Sequence, residues 1–407
     1  VTAVALLLAA LGSAAPLPEP DLALAPQATI EAAIADSARR VEEIRGRRFS
    51  RSVPAAEIDT KELERVLREK LAEGLPAPPR ETLRTLAALG FVEDAPDLLE
   101  RLLSFYVSQV AAFYDPDRGK FWVVKGAMEE IGADSAGMGE RLLYSHELMH
   151  ALQDQHLTLG PRMHSLKDDG DAALALQCLL EGEATLVMVK AALADLPFAD
   201  GEEAEELVAP LLSAGALERS GIPKDVPEYF VDQLFFPYTE GTAWVRRAWK
   251  RGGWSEVDRL WKSPPVSTSE ILHEGVTFVP AAGLLPPSAA SLAPKGKRLS
   301  YTDTIGEWNL RWLLERSKAA PEAEEIAAGW RGDRIAFFVD EKSVAFLWRL
   351  RFDSPGAAAR FEKAWKQLRE ARTADGPQLT RRGGSDLVVA SGLPSIPALP
   401  GLPAPKE

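Results

Sequence analysis

The sequence predicts an α+β fold, predominantly helical, in which a large helical region with a small sheet is followed by a smaller α+β unit. Three observations carry this expectation. Apolar residues recur at three- and four-residue spacing through most segments up to Trp261, the signature of amphipathic helices facing a core. The period changes once, around Ala112–Val124, where two short apolar runs flank a turn sequence. A stretch rich in Pro, Ala, Ser and Gly, from Val276 to Lys297, then separates the helical region from a segment in which strand-like and helical patterns alternate.

Taken in order, Ile30–Arg45, Ile58–Leu71, Thr82–Leu89 and Pro96–Val110 read as helices, with Arg and Glu between the apolar positions. Ala112-Phe113-Tyr114 and Phe121-Trp122-Val123-Val124 read as strands joined by Asp115-Pro116-Asp117-Arg118-Gly119, a β-hairpin. Met138–Gln155 and Ala172–Leu193 read as two further helices, separated by a loop with Gly160-Pro161 and Asp168-Asp169-Gly170-Asp171. Helices are also expected over Glu202–Leu217, Thr239–Arg251 and Trp254–Trp261. In the C-terminal unit, placed at residues 298–392, Gly306–Arg316, Pro321–Ala328 and Pro355–Arg372 read as helices. Arg334–Val339, Val344–Phe352 and Leu387–Ala390 read as strands, and Gly329-Trp330-Arg331-Gly332-Asp333-Arg334 as a turn. Residues 393–407, punctuated by proline, are expected to be a disordered tail.

Composition narrows the function. The 407 residues carry 47 Lys+Arg against 60 Asp+Glu, a net charge of −13, with no long basic run. Binding to a phosphate backbone relies on clustered cations, so nucleic acid is not an expected partner. The single cysteine, Cys178, excludes an intrachain disulfide and a Cys-rich zinc site, and its apolar surroundings predict a buried, inert thiol. Val4–Leu11 is an apolar run followed by Gly12-Ser13-Ala14-Ala15, which reads as the core and cleavage site of a secretory signal peptide spanning residues 1–15; an unstructured Ala-rich terminus is the alternative. No cysteine follows it and no run of about eighteen apolar residues is evident elsewhere, so a secreted or periplasmic protein without a stable membrane anchor is expected.

The most informative segment is His146-Glu147-Leu148-Met149-His150, a HExxH pattern within a predicted helix. Residues four apart lie about one turn apart on one helix face, so the two imidazoles can converge on one cation. Glu147 lies beside them, where a carboxylate can take a proton from an attacking water and return it to a leaving amine. The plain alternative is a helix with two surface histidines beside a glutamate. A catalytic zinc needs a third protein ligand, and two routes are open. His156 stands at the spacing of a third histidine ligand, but Gln153 occupies the position where that arrangement needs a glycine for a sharp turn. If the helix continues, His156 lies about 240° around the axis from His150 and points away. The other route is Leu179-Leu180-Glu181-Gly182-Glu183-Ala184, two carboxylates in an otherwise apolar helix with a glycine that permits close helix approach. Glu181 and Glu183 are about 200° apart, so only one can face the first helix.

HExxH followed on a second helix by Glu-Gly-x-Ala resembles the gluzincin group of zincin metallopeptidases. The resemblance implies that His146, His150 and Glu181 hold Zn²⁺, with Glu183 as the fallback third ligand and Glu147 as the general base. It implies a zincin-like catalytic region over residues 16–290. The run His-Glu-Leu-x-His-Ala-x-x-Asp is shared in outline with thermolysin-like proteases, which gives Asp154 a possible buttressing role beside that of a solvated helix-end residue. Phe236-Pro237-Tyr238-Thr239-Glu240-Gly241 and Ser267-Thr268-Ser269-Glu270-Ile271-Leu272-His273 are similar to segments of bacterial exported zincin-like proteins, and they nominate Tyr238 and His273 as donors to a developing oxyanion.

Zincin sites run substrate antiparallel to an edge strand, a part that Phe121–Val124 or Ala112–Tyr114 could fill; a hairpin that merely caps the core is the alternative. The expected function is an exported zinc-dependent peptidase acting on a peptide or protein. The alternative is a catalytically inactive exported binding or assembly protein on a zincin scaffold.

Overall fold

The computed structural model describes residues 27–127, 138–194, 222–286, 288–317, 320–370 and 378–399. The signal-peptide segment and the helix expected over Glu202–Leu217 lie outside the described residues.

The fold is α+β and predominantly helical. Helices α1 (Gln27–Arg45), α2 (Thr60–Gly74), α3 (Pro79–Leu89) and α4 (Leu98–Gln109) come first, with strand β1 (Ala55–Ile58) between α1 and α2. Ile58, expected to start a helix, ends this strand instead; Asp59 caps α2 by accepting from the Glu62 N–H. The hairpin forms as β2 (Ala112–Asp115) and β3 (Lys120–Val124), antiparallel, and β1 adds to β3 in parallel. The order β1-β3-β2 makes Phe121–Val124 the central strand, so of the two candidate edges only Ala112–Asp115 is one.

Next come α5 (Met138–Leu157), α6 (Leu159–His164) and α7 (Gly170–Leu193). Over Gly170–Ala191, α7 is long and apolar enough to cross a membrane by length and composition, although Gln177, Glu181 and Glu183 interrupt its apolar run, and 94% of its most apolar window is buried within the protein. It is the central core helix. Cys178, on this helix, is a buried free thiol. A further helix, α8 (Glu228–Phe236), leads through a π-helical turn, Pro237–Gly241, into α9 (Thr242–Lys262), which Gly252 and Gly253 interrupt with non-helical backbone. Ser267–His273 follows as a one-turn helix, α10 (Thr268–Leu272).

The rest of the described chain is a five-stranded antiparallel sheet in the order β4-β5-β6-β8-β7, formed by β4 (Arg298–Asp303), β5 (Trp330–Val339), β6 (Val344–Phe352), β7 (Gln378–Gly383) and β8 (Asp386–Ser391). Helices α11 (Gly306–Glu315), α12 (Ala323–Ala328) and α13 (Pro355–Glu370) accompany it. The expected turn at Gly329–Arg334 is instead the bulged start of β5, where Trp330 and Asp333 are buried. Alternation along the strands divides the side chains between two faces. Phe337, Phe346, Trp348 and Val389 join one continuous core with Phe361 and Trp365 of α13 and with residues of α2, α3 and α4. Ala336, Phe338, Leu347 and Val388 face the other way and are covered by Leu393, Ile396 and Leu399. Residues 393–399, expected as the start of a disordered tail, are therefore packed.

Candidate metal centre

The site lies where α5 crosses α7. Two glycines make the surrounding approach possible. A Cβ on Gly182 would sit 2.4 Å from the Gly241 carbonyl oxygen, and a Cβ on Gly241 would sit 2.5 Å from that of Cys178. The π-helical turn thus touches α7 backbone to backbone, and this contact sets Tyr238 over the site.

His146 and His150 project from one face of α5 as the four-residue spacing requires, their rings 4.8 Å apart and nearly perpendicular. Their Nε2 atoms are 3.1 Å apart. Glu181 of α7 places Oε2 3.1 Å from His146 Nε2 and 3.4 Å from His150 Nε2. These separations match the roughly 3.3 Å edge of a tetrahedron of nitrogen and oxygen ligands with zinc-like bond lengths of about 2.0–2.1 Å. Glu147 joins the two histidines in one group of possible ligand atoms within 4.8 Å of one another. Exposure is 3% at His146, 0% at Glu147, 2% at His150 and 1% at Glu181. Four ionisable groups buried together are costly without a counter-charge, and Oε1 of Glu147, Oε1 of Glu181 and Nδ1 of His146 have no hydrogen-bond partner. Two imidazoles and a carboxylate with oxygens to spare fit a divalent cation.

The charges act on one another. Burial pushes the Glu147 carboxyl above its usual range, against the His150 and His146 charges and the Tyr114 N–H, which lower it. For Glu181 burial also acts upward, but His150 and His146 overcome it and bring the carboxyl down to about 2. Burial alone would lower His150, yet Glu181, aided by Glu147, holds it up at about 9. The pair thus favours net positive charge on the imidazole side of Glu181, the same demand that a cation would meet.

Glu181 and Glu183 differ in the partners they meet. Glu183 faces away from the histidines and accepts from Arg45 Nε at 2.6 Å, Trp261 Nε1 at 2.7 Å and Gln153 Nε2 at 2.9 Å. It is an anchor for α1, α9 and α5, and the fully buried Arg45 also lies over the rings of Trp254 and Trp261. Asp154 does not touch a histidine: it accepts from the Tyr114 hydroxyl at 2.8 Å and the Leu159 N–H at 2.9 Å, tying the hairpin to the end of α5. His156 is exposed and meets the Arg48 carbonyl, as its angular position on a continued helix predicts.

Tyr238 stacks on His146 with ring centroids 5.8 Å apart. Its hydroxyl is buried, and burial, with the Glu181 and Glu147 charges, raises its pKa. It therefore stays a proton donor at neutral pH. His273 is placed differently: its Nε2 lies 2.5 Å from Glu307 Oε1, and Ser269 Oγ donates to the other oxygen of that carboxylate. The His146 cluster is assembled without it.

Two contributors escaped the sequence reading. The outward N–H of Tyr114 on edge strand β2 donates to Glu147 Oε2 at 2.9 Å, which holds the carboxylate beside the histidines. Gln153 Oε1 meets His150 Nδ1 at 2.9 Å. The available signal for Gln153 was a polar residue three positions after a histidine, on a helix flanked by apolar positions.

Residues 297–394, which contain the whole five-stranded sheet, match a family described as Domain of unknown function (DUF8575). No curated protein and no solved structure matches the chain.

Proposed function

We propose that the chain is a zinc-dependent hydrolase of peptide bonds, with His146, His150 and Glu181 as the metal ligands. The observation that supports this most is the set of donor separations, 3.1, 3.1 and 3.4 Å, among three buried side chains drawn from two helices. Zinc held there would supply the Lewis acidity that makes water a nucleophile near neutral pH. Glu147, fixed by the Tyr114 N–H through one oxygen and unpartnered at the other, takes the proton of the attacking water and passes it to the departing amine. Its upward pKa shift suits both halves of that exchange. The Tyr238 hydroxyl, beside His146, donates to the carbonyl oxygen as negative charge develops there.

A second reading, a binding or assembly protein that keeps the metal without turnover, is favoured by one specific observation. Strand β2 is buried along its length, and its Tyr114 N–H is spent on Glu147 rather than offered to an extended chain. A cleavage assay of the zinc-loaded protein on a peptide library, with and without chelator, separates the two. The hydrolase reading expects chelator-sensitive cleavage that falls about 100-fold or more in Glu147→Gln while zinc remains bound. Absence of cleavage by the zinc-loaded wild type transfers the weight to the binding reading.

A further inference from the structure

We propose that Gln153 is a positioning residue that fixes the proton of His150 on Nδ1 and so turns its Nε2 lone pair toward Glu181 and His146. The inference rests on the assignment of His146, His150 and Glu181 as metal ligands, and its argument needs only hydrogen-bond chemistry. The side-chain amide of Gln153 has two different edges, a carbonyl oxygen that only accepts and an NH2 that only donates. One edge faces the Leu180 backbone carbonyl at 3.0 Å. A carbonyl has no proton to give, so this edge is the NH2. The same NH2 reaches Glu183 Oε2 at 2.9 Å, and Glu183 is itself held by two pure donors, the Arg45 guanidinium and the Trp261 indole. The opposite edge is therefore the oxygen, and it faces His150 Nδ1 at 2.9 Å. An acceptor in that position requires the proton on Nδ1.

The chain of contacts has a direction. Arg45 and Trp261 fix Glu183, Glu183 and Leu180 fix the Gln153 amide, and the amide fixes the His150 ring. Every member is buried, so water does not compete for the edges of the amide. His146 has no equivalent, since its Nδ1 lacks a partner and the ring is held by stacking on Tyr238. The two histidines of one motif are thus oriented by different means, and only His150 answers to Gln153.

The test uses the full chain labelled with ¹⁵N-histidine, in wild type and in Gln153→Met, which keeps the unbranched shape and loses both polar edges. The expected wild-type result is a protonated Nδ1 on His150 in the metal-free chain above about pH 9, where the ring is neutral and holds a single proton. In Gln153→Met the preference is lost in the metal-free chain, and Zn²⁺ affinity of the folded protein, measured by competition with a chelating dye, falls about 10–100-fold. An unprotonated Nδ1 in the wild type, or unchanged tautomer and affinity in Gln153→Met, overturns the proposal. Should Gln153→Met fail to fold, the wild type decides alone: a metal-free His150 that holds its single proton on Nδ1 supports the proposal, and one that holds it on Nε2 overturns it. A wild type that binds no Zn²⁺ removes the metal assignment, while the ¹⁵N spectrum still decides what Gln153 does to His150.

Discussion

Two groups of buried carboxylates, one at the N-terminal end of α7 and one at its middle, are treated in contrasting ways. At the N-terminal end, where the C-terminal unit meets the helix, donors fill the carboxylates. Asp333 accepts four times, from the Ile305 and Gly306 N–H groups and from the indoles of Trp330 and Trp348. Asp303 accepts from the Gly170 and Thr304 N–H groups, and Asp171 from the N–H and hydroxyl of Thr268. Gly306, at φ +83°, is required there because a Cβ would collide with the Asp171 carboxylate. About 15 Å further along the helix, at 1.5 Å per residue, Glu181 faces two histidines through one oxygen and has no hydrogen-bond partner at the other. The difference teaches how to sort buried acids: those that hold a fold are saturated by donors, whereas Glu181 keeps an oxygen open beside imidazole nitrogens, as the proposed metal site requires.

Breaking the saturated group should produce the largest effect on stability and none on the metal. Asp333→Ala strands four buried donors, and at about 1–3 kcal/mol for each buried group left unpaired it should cost at least about 4 kcal/mol in denaturant unfolding. Zinc affinity of the fraction that folds should stay at the wild-type value; a parallel loss of affinity would erase the distinction between the two groups.

A smaller effect comes from pH. Burial pushes Asp171 up to about 7, against the Ser267 and Thr268 donors. Its folded pKa then exceeds the unfolded value of about 3.9, so the folded state holds the proton more tightly. The resulting stability is fully present below about pH 4 and is lost as pH rises through 7. Melting curves between pH 5 and 8 should show this decline in the wild type and a flatter profile in Asp171→Asn.

Much of this arrangement was legible in the sequence because it is local. The spacing of His146, Glu147 and His150 fixes their common face, and Gly182 announced a close approach before its partner, Gly241, could be named. What remained open was set by contacts between distant segments. Glu181 and Glu183 are equivalent by helical geometry, and only Arg45, 138 positions away, and Trp261 show which one is an anchor. Strand β1 is four residues long and pairs with β3 across more than sixty positions, too little pattern to read in isolation. The edge strands β4 and β7 carry polar residues that hide their alternation. The turn-like Trp330–Arg334 is strand because Asp333 collects donors from Ile305 and Gly306, nearly thirty residues earlier. Leu393, Ile396 and Leu399 find a sheet face that composition cannot show.

The most direct test compares two isosteric changes two residues apart on one helix, Glu181→Gln and Glu183→Gln, by bound zinc and by thermal melting. Glu181→Gln should lose zinc, with affinity falling about 100-fold or more, and should destabilise the metal-free chain less than Glu183→Gln does, because His150 can shed its proton when its counter-charge goes whereas Arg45 cannot. Glu183→Gln should keep zinc within about tenfold and lose about 1–3 kcal/mol of stability, because Arg45 loses its buried carboxylate partner at Nε and keeps only Asp258. Zinc lost only from Glu183→Gln, or retained in Glu181→Gln, would contradict the assignment of the metal centre.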